Sequence, residues 1–327
     1  MLDSLPERLT YPRSPAGHCA TSSCAILRYH RVALLSHDPL RLAVQPHNFE
    51  RQMEYLAANF HVISLYELWQ HLETATPWQD RTVAVTFDGG YSDVLYAAKD
   101  VLERFEVPAT VFVPSVNLIE RTRFWWDVLE DVLIAGDLLG PLVVETEEES
   151  YRWSLESQQA RFRAFEDLYG ILSDQTPAQQ RDVLSQIRGS LSRPEEDLDS
   201  HATLGAQELK KIEDGGLITV GGHTHHGVKL SRLSESEQRD EIQYNKRILE
   251  EVLGHGVEYF AYPFGDEGSY TAGTGRILRD CGFRLSCRVS CDTVRVTGAD
   301  SRYELPRLAI RDWNLFTFHR YLTAFLD

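Results

Sequence analysis

An aspartate at the end of an apolar run is the first residue in this sequence that could do chemistry. The run occupies residues 82–87, and the segment TFDGGYSD (86–93) carries Asp88 at its carboxyl end. Barrels and open α/β sheets place reactive groups at that end of their strands. The two glycines after Asp88 permit a sharp turn and a close approach to a ligand. The alternative is a simple turn in which Asp88 bonds its own backbone.

Three histidines within four residues form a second candidate site. His223, His225 and His226 lie in GGHTHHG (221–227), after another apolar run. On an extended backbone His223 and His225 point one way and His226 points the other. Neutral imidazole is a ligand for zinc and similar ions, so the cluster predicts a metal site. A polar surface loop explains the same residues.

Three weaker signals follow. The YPFG segment (262–265) combines a fixed turn with aromatic side chains that suit a pocket wall, although a structural turn is the alternative. Arg307 begins an apolar run and could orient Asp88 through paired hydrogen bonds, or form a surface ion pair. Trp125 and Trp126 offer flat faces for sugar rings, or pack against a helix.

The elements that must position these residues alternate between strand and helix. Residues 24–32, 82–87 and 107–115 are short apolar runs, and residues 93–105 carry apolar side chains at helical spacing. Residues 48–74 predict two helical pieces around the β-rich HVISL. A strand, a helix and a strand in succession form a βαβ unit, and continuous apolar strands indicate a parallel sheet covered on both faces.

The same alternation resumes in the last third of the chain, with the start of one helix marked by Ser234 and Glu237 at capping-box spacing. The predicted segments are strands at 217–223, 259–265, 284–290 and 304–310 and helices at 234–254 and 273–283.

Polar, helical sequence separates the two halves over about residues 120–200. Because the strand–helix alternation continues beyond it, we interpret it as a helical insertion in one domain spanning 24–327; a separate domain is the alternative. Residues 1–23, rich in Pro, Ser and Thr, predict a loose N-terminal arm.

Composition restricts the partners. The 327 residues include 49 acidic and 33 basic side chains, a formal net charge of −16 that disfavours nucleic acid and anionic membrane surfaces; solubility alone also explains it. Five cysteines without a CxxC pair do not form a disulfide framework. With no signal peptide and no apolar stretch of spanning length, we expect a cytoplasmic protein without a membrane span.

Taken together, YHRV, TFDxGY, GGHT, YPFG and LPR resemble the bacterial polysaccharide deacetylases of the NodB-homology type, carbohydrate esterase family four. The resemblance runs from about residue 24 to 325 and includes FWWD and CGFRLSC. It implies an α/β fold, a distorted (β/α)7 barrel, and metal-dependent removal of acetyl groups from sugars. In the family the metal activates water and an aspartate takes its proton.

Transferred residue by residue, the resemblance makes Asp88 the catalytic base and His223 a metal ligand. Gly89 and Gly227 stand where the family has its other two ligands. A single imidazole seldom holds a divalent ion, so zinc or a similar metal requires a rebuilt site, for which His226 is the first candidate and Asp93 and His225 are further ones. The predicted substrate-binding residues are Tyr91, Tyr262, Pro263, Phe264, Gly265 and Arg307.

Two functions remain open at this stage. The first is a hydrolase that removes acetyl groups from N-acetylated sugars or glycan intermediates, with a divalent metal. The second is a catalytically inactive relative, without a metal, that binds a carbohydrate or a partner protein. A third reading is that both glycines were introduced to silence an enzyme.

Overall fold

The computed structural model describes residues 24–120, 123–136, 140–146, 148–189, 201–294 and 302–326. The predicted arm at 1–23 lies outside the described residues. Twelve strands are found in the described part of the chain: β1 Cys24–Tyr29, β2 Arg31–Val32, β3 Ala43–Val44, β4 His61–Val62, β5 Thr82–Asp88, β6 Ala109–Val113, β7 Leu142–Glu145, β8 Ser150–Trp153, β9 Ile218–Gly222, β10 Tyr259–Ala261, β11 Leu285–Val289 and β12 Leu305–Ala309.

Seven of these strands close into a parallel barrel. Their order around the barrel is β1, β12, β11, β10, β9, β6, β5 and back to β1. Strand β1 closes the ring, because Ile26 pairs with Arg307 of β12 on one side and with Ala84 of β5 on the other. The short strand β4 pairs with the first two residues of β5, outside the closed ring. The expected distorted (β/α)7 barrel is therefore confirmed.

Alternation along the strands decides which side chains enter the barrel. Strands β5 and β6 are buried along their whole length, as their continuous apolar sequences predict. Odd positions of β5, such as Val83 and Val85, pack with the surrounding helices, whereas Ala84 packs inside with Ile26 and Phe112. Because side chains alternate with a period of two, the interior series of β5 ends at Asp88.

Helices cover the outside of the barrel. The described helices are α1 Pro46–Asn59, α2 Leu65–Thr74, α3 Lys99–Arg104, α4 Val116–Glu120, α5 Trp125–Glu130, α6 Gln158–Ser173, α7 Pro177–Gly189, α8 Ala206–Glu213, α9 Glu235–Leu253, α10 Thr274–Asp280 and α11 Leu315–Leu326. The predicted start of α9 is confirmed: the Ser234 hydroxyl accepts from the Glu237 amide, and the Glu237 carboxylate accepts from the Ser234 amide. None of the helices in the described ranges has the length and hydropathy needed to cross a membrane.

The insertion between β6 and β9 has a small core of its own. Helices α5, α6 and α7 pack their apolar faces together around Leu129, Phe165 and Leu168. The antiparallel hairpin β7–β8 joins this core through Leu142 and Val144. The sequence predicted helices here and missed the hairpin, because two four-residue strands give too short an alternation to distinguish from a polar loop.

Candidate functional site

A cavity of about 310 Å³ opens at the carboxyl ends of the barrel strands. Asp88 and His223 both line it, although they follow different strands and are 135 positions apart in the sequence. The convergence follows from the parallel barrel, in which all strands end on the same face. The other lining residues are Arg28, His30, Leu40, Leu42, Gly89, Tyr91, Pro114, Phe124, Trp126, Tyr169, Ser173, Gly227, Lys229, Pro263, Phe264, Asp266 and Arg311.

Asp88 is held by a buried arginine on β12, which is separated from β5 by β1 alone. Arg307 Nη1 donates to Asp88 Oδ1 at 2.6 Å, and Nη2 donates to Oδ2 at 2.7 Å. Arg307 is fully buried and Asp88 is 3% exposed. Burial alone would raise the pKa of Asp88, but the charge and hydrogen bonds of Arg307 hold that pKa well below its ordinary value. Asp88 is therefore a carboxylate whose orientation is fixed by two hydrogen bonds.

His223 presents a neutral imidazole to the cavity. Its Nδ1 lies 2.8 Å from the carbonyl oxygen of Ala261, which can only accept, so Nδ1 carries the proton and Nε2 has the free lone pair. Burial lowers the pKa of His223 to about 4, although the nearby carboxylate of Asp88 opposes the shift. The backbone is fixed as well, because the Asn245 side chain accepts from the His223 amide and donates to the Val113 carbonyl.

A second arginine stands on the open side of Asp88. Arg28 Nη1 is 4.0 Å from Asp88 Oδ2, and the Arg28 side chain is 12% exposed. Within the described part of the chain its Nε is buried and lacks an acceptor. Burial lowers the pKa of Arg28 to about 10 against the opposing charge of Asp88, which still leaves the guanidinium charged at neutral pH. Beside it, burial and the charge of Arg28 lower the pKa of His30 well below its usual range.

Aromatic rings from the insertion form one wall of the cavity. Phe124 and Trp126 stack with centroids 4.5 Å apart, and Tyr91 meets Phe124 at 5.2 Å. The Tyr91 hydroxyl accepts from Trp126 Nε1 at 2.8 Å, which fixes the orientation of the indole. Phe264 packs against Trp126 and Tyr169 from the barrel side. Flat apolar faces beside polar groups are suited to the C–H face of a sugar ring.

Residues 76–142 and 177–286 match the sequence profile of the polysaccharide deacetylases. The chain belongs to the polysaccharide deacetylase family. The match covers both strand ends that supply Asp88 and His223, so the family and the cavity are identified by the same segments. No curated protein matches the chain.

Solved structures of deacetylases share the fold across nearly the whole chain. The chain superposes on Streptococcus pyogenes deacetylase PplD in complex with acetate, with a TM-score of 0.62 and 16% identity, over 93% of this chain and 98% of that one. IcaB from Ammonifex degensii gives a TM-score of 0.57 at 18% identity, over 93% and 97%. The putative polysaccharide deacetylase BA0330 from Bacillus anthracis gives 0.57 at 16%, over 92% and 69%. At these identities the likeness supports the fold.

The residues at the family's metal position do not fit a divalent ion. Of the three positions that the family resemblance assigns to ligands, His223 alone has a side chain; Gly89 and Gly227 offer none. Both glycines adopt the left-handed backbone region, with φ of 98° and 69°. A Cβ on Gly89 would lie 3.2 Å from the Tyr91 ring, so a side chain there is crowded as well as strained by the backbone conformation. We therefore derive no step through a metal at this position.

The candidate replacements for the missing ligands are engaged elsewhere. His226 does not line the cavity; its Nδ1 pairs with Glu241 Oε1 at 2.5 Å, and the same carboxylate accepts from the amides of His225 and His226. His225 Nδ1 bonds the Ser115 hydroxyl at 2.9 Å. Asp93 accepts from Arg31 Nε at 2.8 Å and from the Val32 amide. Thr224 adopts the left-handed region, with φ of 59°, and this interrupts the extended backbone between His223 and His225.

The predicted substrate-binding residues divide into two groups. Tyr91, Pro263 and Phe264 line the cavity. Tyr262 does not: it is buried, and its hydroxyl donates to the Tyr303 carbonyl. Gly265 lies in a tight turn, and its carbonyl accepts a hydrogen bond from the Val289 amide of β11. Arg307 is fully buried behind Asp88, and neither Gly265 nor Arg307 lines the cavity.

Arg28 is the cavity residue that the sequence interpretation missed. It lies in the apolar strand CAILRY, two positions after Ile26, whose side chain packs inside the barrel. A charged residue on the interior face of an apolar strand, close to its carboxyl end, was the signal that could have found it. Lys229 and Arg311 give no comparable signal, because they lie in loops.

Proposed function

We propose that the protein binds an N-acylated carbohydrate in the barrel cavity without hydrolysing it, and that Arg28 supplies the positive charge beside Asp88. In this proposal the sugar ring lies against Phe124 and Trp126. The Arg28 guanidinium donates to the acyl oxygen, and His223 Nε2 accepts from a hydroxyl or amide N–H of the ligand.

One observation carries the proposal: Arg28 Nη1 lies 4.0 Å from Asp88 beside Gly89, which lacks the carboxylate of the family's metal site. A largely buried guanidinium with few acceptors favours one more at its open Nη groups, and a neutral carbonyl can provide it without adding a buried charge. The pairing of Asp88 with Arg307 also supports binding over catalysis, because Arg307 already donates a hydrogen bond to each of the two carboxylate oxygens.

Titration with N-acetylglucosamine oligomers tests the proposal. Trp126 lies in the cavity wall, so ligand binding is expected to change the intrinsic fluorescence, and calorimetry gives the affinity independently. Arg28→Met should weaken binding by about ten-fold or more, the value of a lost hydrogen bond to a charged donor. Arg247→Met, an exposed arginine on α9, is the matched control and should bind like the wild type. De-N-acetylated oligomers should bind less tightly than acetylated ones.

The same samples decide between binding and hydrolysis. A hydrolase is the second candidate, favoured by the shared cavity of Asp88 and His223. Acetate is measured after prolonged incubation with saturating oligomer, with and without added zinc. Binding without acetate supports the proposal. Acetate release that disappears in both Asp88→Asn and His223→Ala would establish the hydrolase instead, and no saturation up to about 10 mM ligand would exclude this sugar class.

A further inference from the structure

A second cluster of metal-ligating side chains lies behind the aromatic wall, away from the family's metal position. Asp127 and Glu130 lie three residues apart on α5, so both carboxylates project from one side of the helix. His201 faces them from the segment before α8. One ligand atom from each of these three residues can be chosen so that all lie within 4.8 Å of one another, and all three residues are buried.

The spacing suits one shared ion better than it suits hydrogen bonds. His201 Nδ1 is 3.3 Å from Asp127 Oδ1, and Nε2 is 3.9 Å from Glu130 Oε1. The second separation is too long for a hydrogen bond. Ligands about 2.0–2.2 Å from one zinc-like ion lie about 3 to 4.3 Å from each other. One ion takes a single ring nitrogen of His201, and one such choice leaves the three ligand atoms within 4.8 Å of one another.

The Glu130 carboxylate is an independent sign that something is bound here. The residue is 9% exposed, and it makes no hydrogen bond within the described ranges. A buried, unpaired carboxylate is costly, and a cation removes that cost.

The local charge also calls for a cation. Asp93, Asp127, Glu130 and Asp131 bring four carboxylates together. Arg31 pairs with Asp93, and Arg123 pairs with Asp131. Arg31 also lies close enough to interact with Asp127 and Glu130, so its single positive charge is shared among several carboxylates. Among these described residues the carboxylates outnumber the two guanidinium groups, which favours a bound cation.

An ion that binds His201 through Nδ1 has to replace the contact that Arg31 makes with that nitrogen. Its Nη1 lies 3.0 Å from His201 Nδ1, and since guanidinium can only donate, the ring accepts. An ion that binds the imidazole takes the place of this contact, while the pair between Arg31 Nε and Asp93 Oδ2 is retained. The ion and Arg31 therefore compete for one lone pair.

We propose that Asp127, Glu130 and His201 form a binding site for a divalent transition ion of the zinc or manganese class. One imidazole with two carboxylates is a donor set for such ions rather than for calcium or magnesium, which prefer oxygen alone. The ion joins α5 to the segment before α8. It also fixes the cavity wall, because Tyr91 donates from its hydroxyl to Asp127 at 3.1 Å. The proposal does not depend on the function proposed for the cavity.

Metal titration of chelator-treated protein tests the site. Zinc and manganese are added separately, calcium is the comparison ion, and metal content is measured after gel filtration. We expect one equivalent of zinc or manganese and less calcium. Glu130→Gln and His201→Gln should each lower zinc affinity by about ten-fold or more, as loss of one of three ligands requires. His223→Gln, which removes the family-position imidazole, should leave this binding unchanged.

Thermal unfolding supplies a readout that a merely structural role would not give. Without metal, Glu130→Gln should unfold at a higher temperature than the wild type, since it removes a buried carboxyl group that stands close to other carboxylates. With saturating zinc the order should reverse, because the wild type alone gains the binding energy. The proposal is overturned if the wild type binds less than one equivalent of both ions, if binding survives in both Glu130→Gln and His201→Gln, or if His223→Gln abolishes it.

Discussion

At the scale of single residues, Asp88 and Arg307 form a buried ion pair in which each side chain compensates the charge of the other. Both side chains are buried, and two hydrogen bonds join them. Arg307→Met leaves the Asp88 carboxylate buried without its partner and should lower the free energy of unfolding by about 3–5 kcal/mol. Adding Asp88→Leu in the same chain should recover part of that loss. Urea unfolding of both single variants and the double variant gives the coupling, and additive losses would contradict a strong pair.

The same pair makes stability depend on pH in a defined direction. The pKa of Asp88 is lowered in the folded state, so its contribution is fully present above the ordinary aspartate pKa of about 4 and is lost as the pH falls towards the folded value. The difference in unfolding free energy between wild type and Asp88→Asn should therefore be constant from pH 7 to about 5 and should shrink below about 4. Urea unfolding at several pH values measures it. A difference that grows on acidification would mean that Asp88 is protonated in the native protein.

At the scale of elements, the turns after β5 and β9 determine whether the family's metal site can be restored. A side chain at Gly227 has open space, with Pro114 the nearest contact at 3.9 Å. At Gly89 a Cβ meets the Tyr91 ring at 3.2 Å, and φ is 98°. We expect Gly227→His to cost about 1–2 kcal/mol for its left-handed backbone alone, and Gly89→Asp to cost more, up to about 3 kcal/mol. Thermal unfolding of each single variant checks the asymmetry.

The double variant tests the geometry of the cavity itself. Gly89→Asp with Gly227→His supplies the two missing side chains around His223, and it should add one zinc equivalent that His223→Gln removes. Gly227→Ala with Gly89→Ala is the matched control, because it carries the backbone change without ligands. A folded double variant that gains no zinc would show that the strand ends are not placed as a metal site requires.

How far the sequence predicts these elements depends on the range of the interaction. Continuous apolar strands, the capping box of Ser234 and the order of strand and helix are local signals, and they predicted a parallel sheet covered by helices. The closed barrel of seven strands was implied by the family resemblance. The histidine loop was different: an extended backbone predicts alternation, but Thr224 turns it and Glu241, from α9, binds His226. The partners of Asp93 and Tyr262 likewise come from distant segments. No local pattern encodes such contacts.

At the scale of the whole molecule, the insertion and the barrel have separate cores that meet at the cavity. The insertion core contains Leu168, fully buried on α6, and it reaches the cavity through Trp126 and Phe264. The barrel strands pack in different clusters. Loosening the insertion should therefore open the cavity wall while leaving the strand ends that carry Asp88 and His223 in place.

Leu168→Ala should lower stability by about 2–5 kcal/mol, because it leaves a void in a small core. Hydrogen exchange should then increase in β7, β8, α6 and α7 while β5, β6 and β9 keep their protection, since locally cooperative units open independently. Sugar binding should weaken as the wall at Trp126 becomes mobile. Leu249→Ala on α9, in the barrel's outer core, is the control and should reduce protection in β9 instead. Equal loss of protection in insertion and barrel would mean that the two cores unfold as one unit, and the cavity wall could not then move without the barrel that supports it.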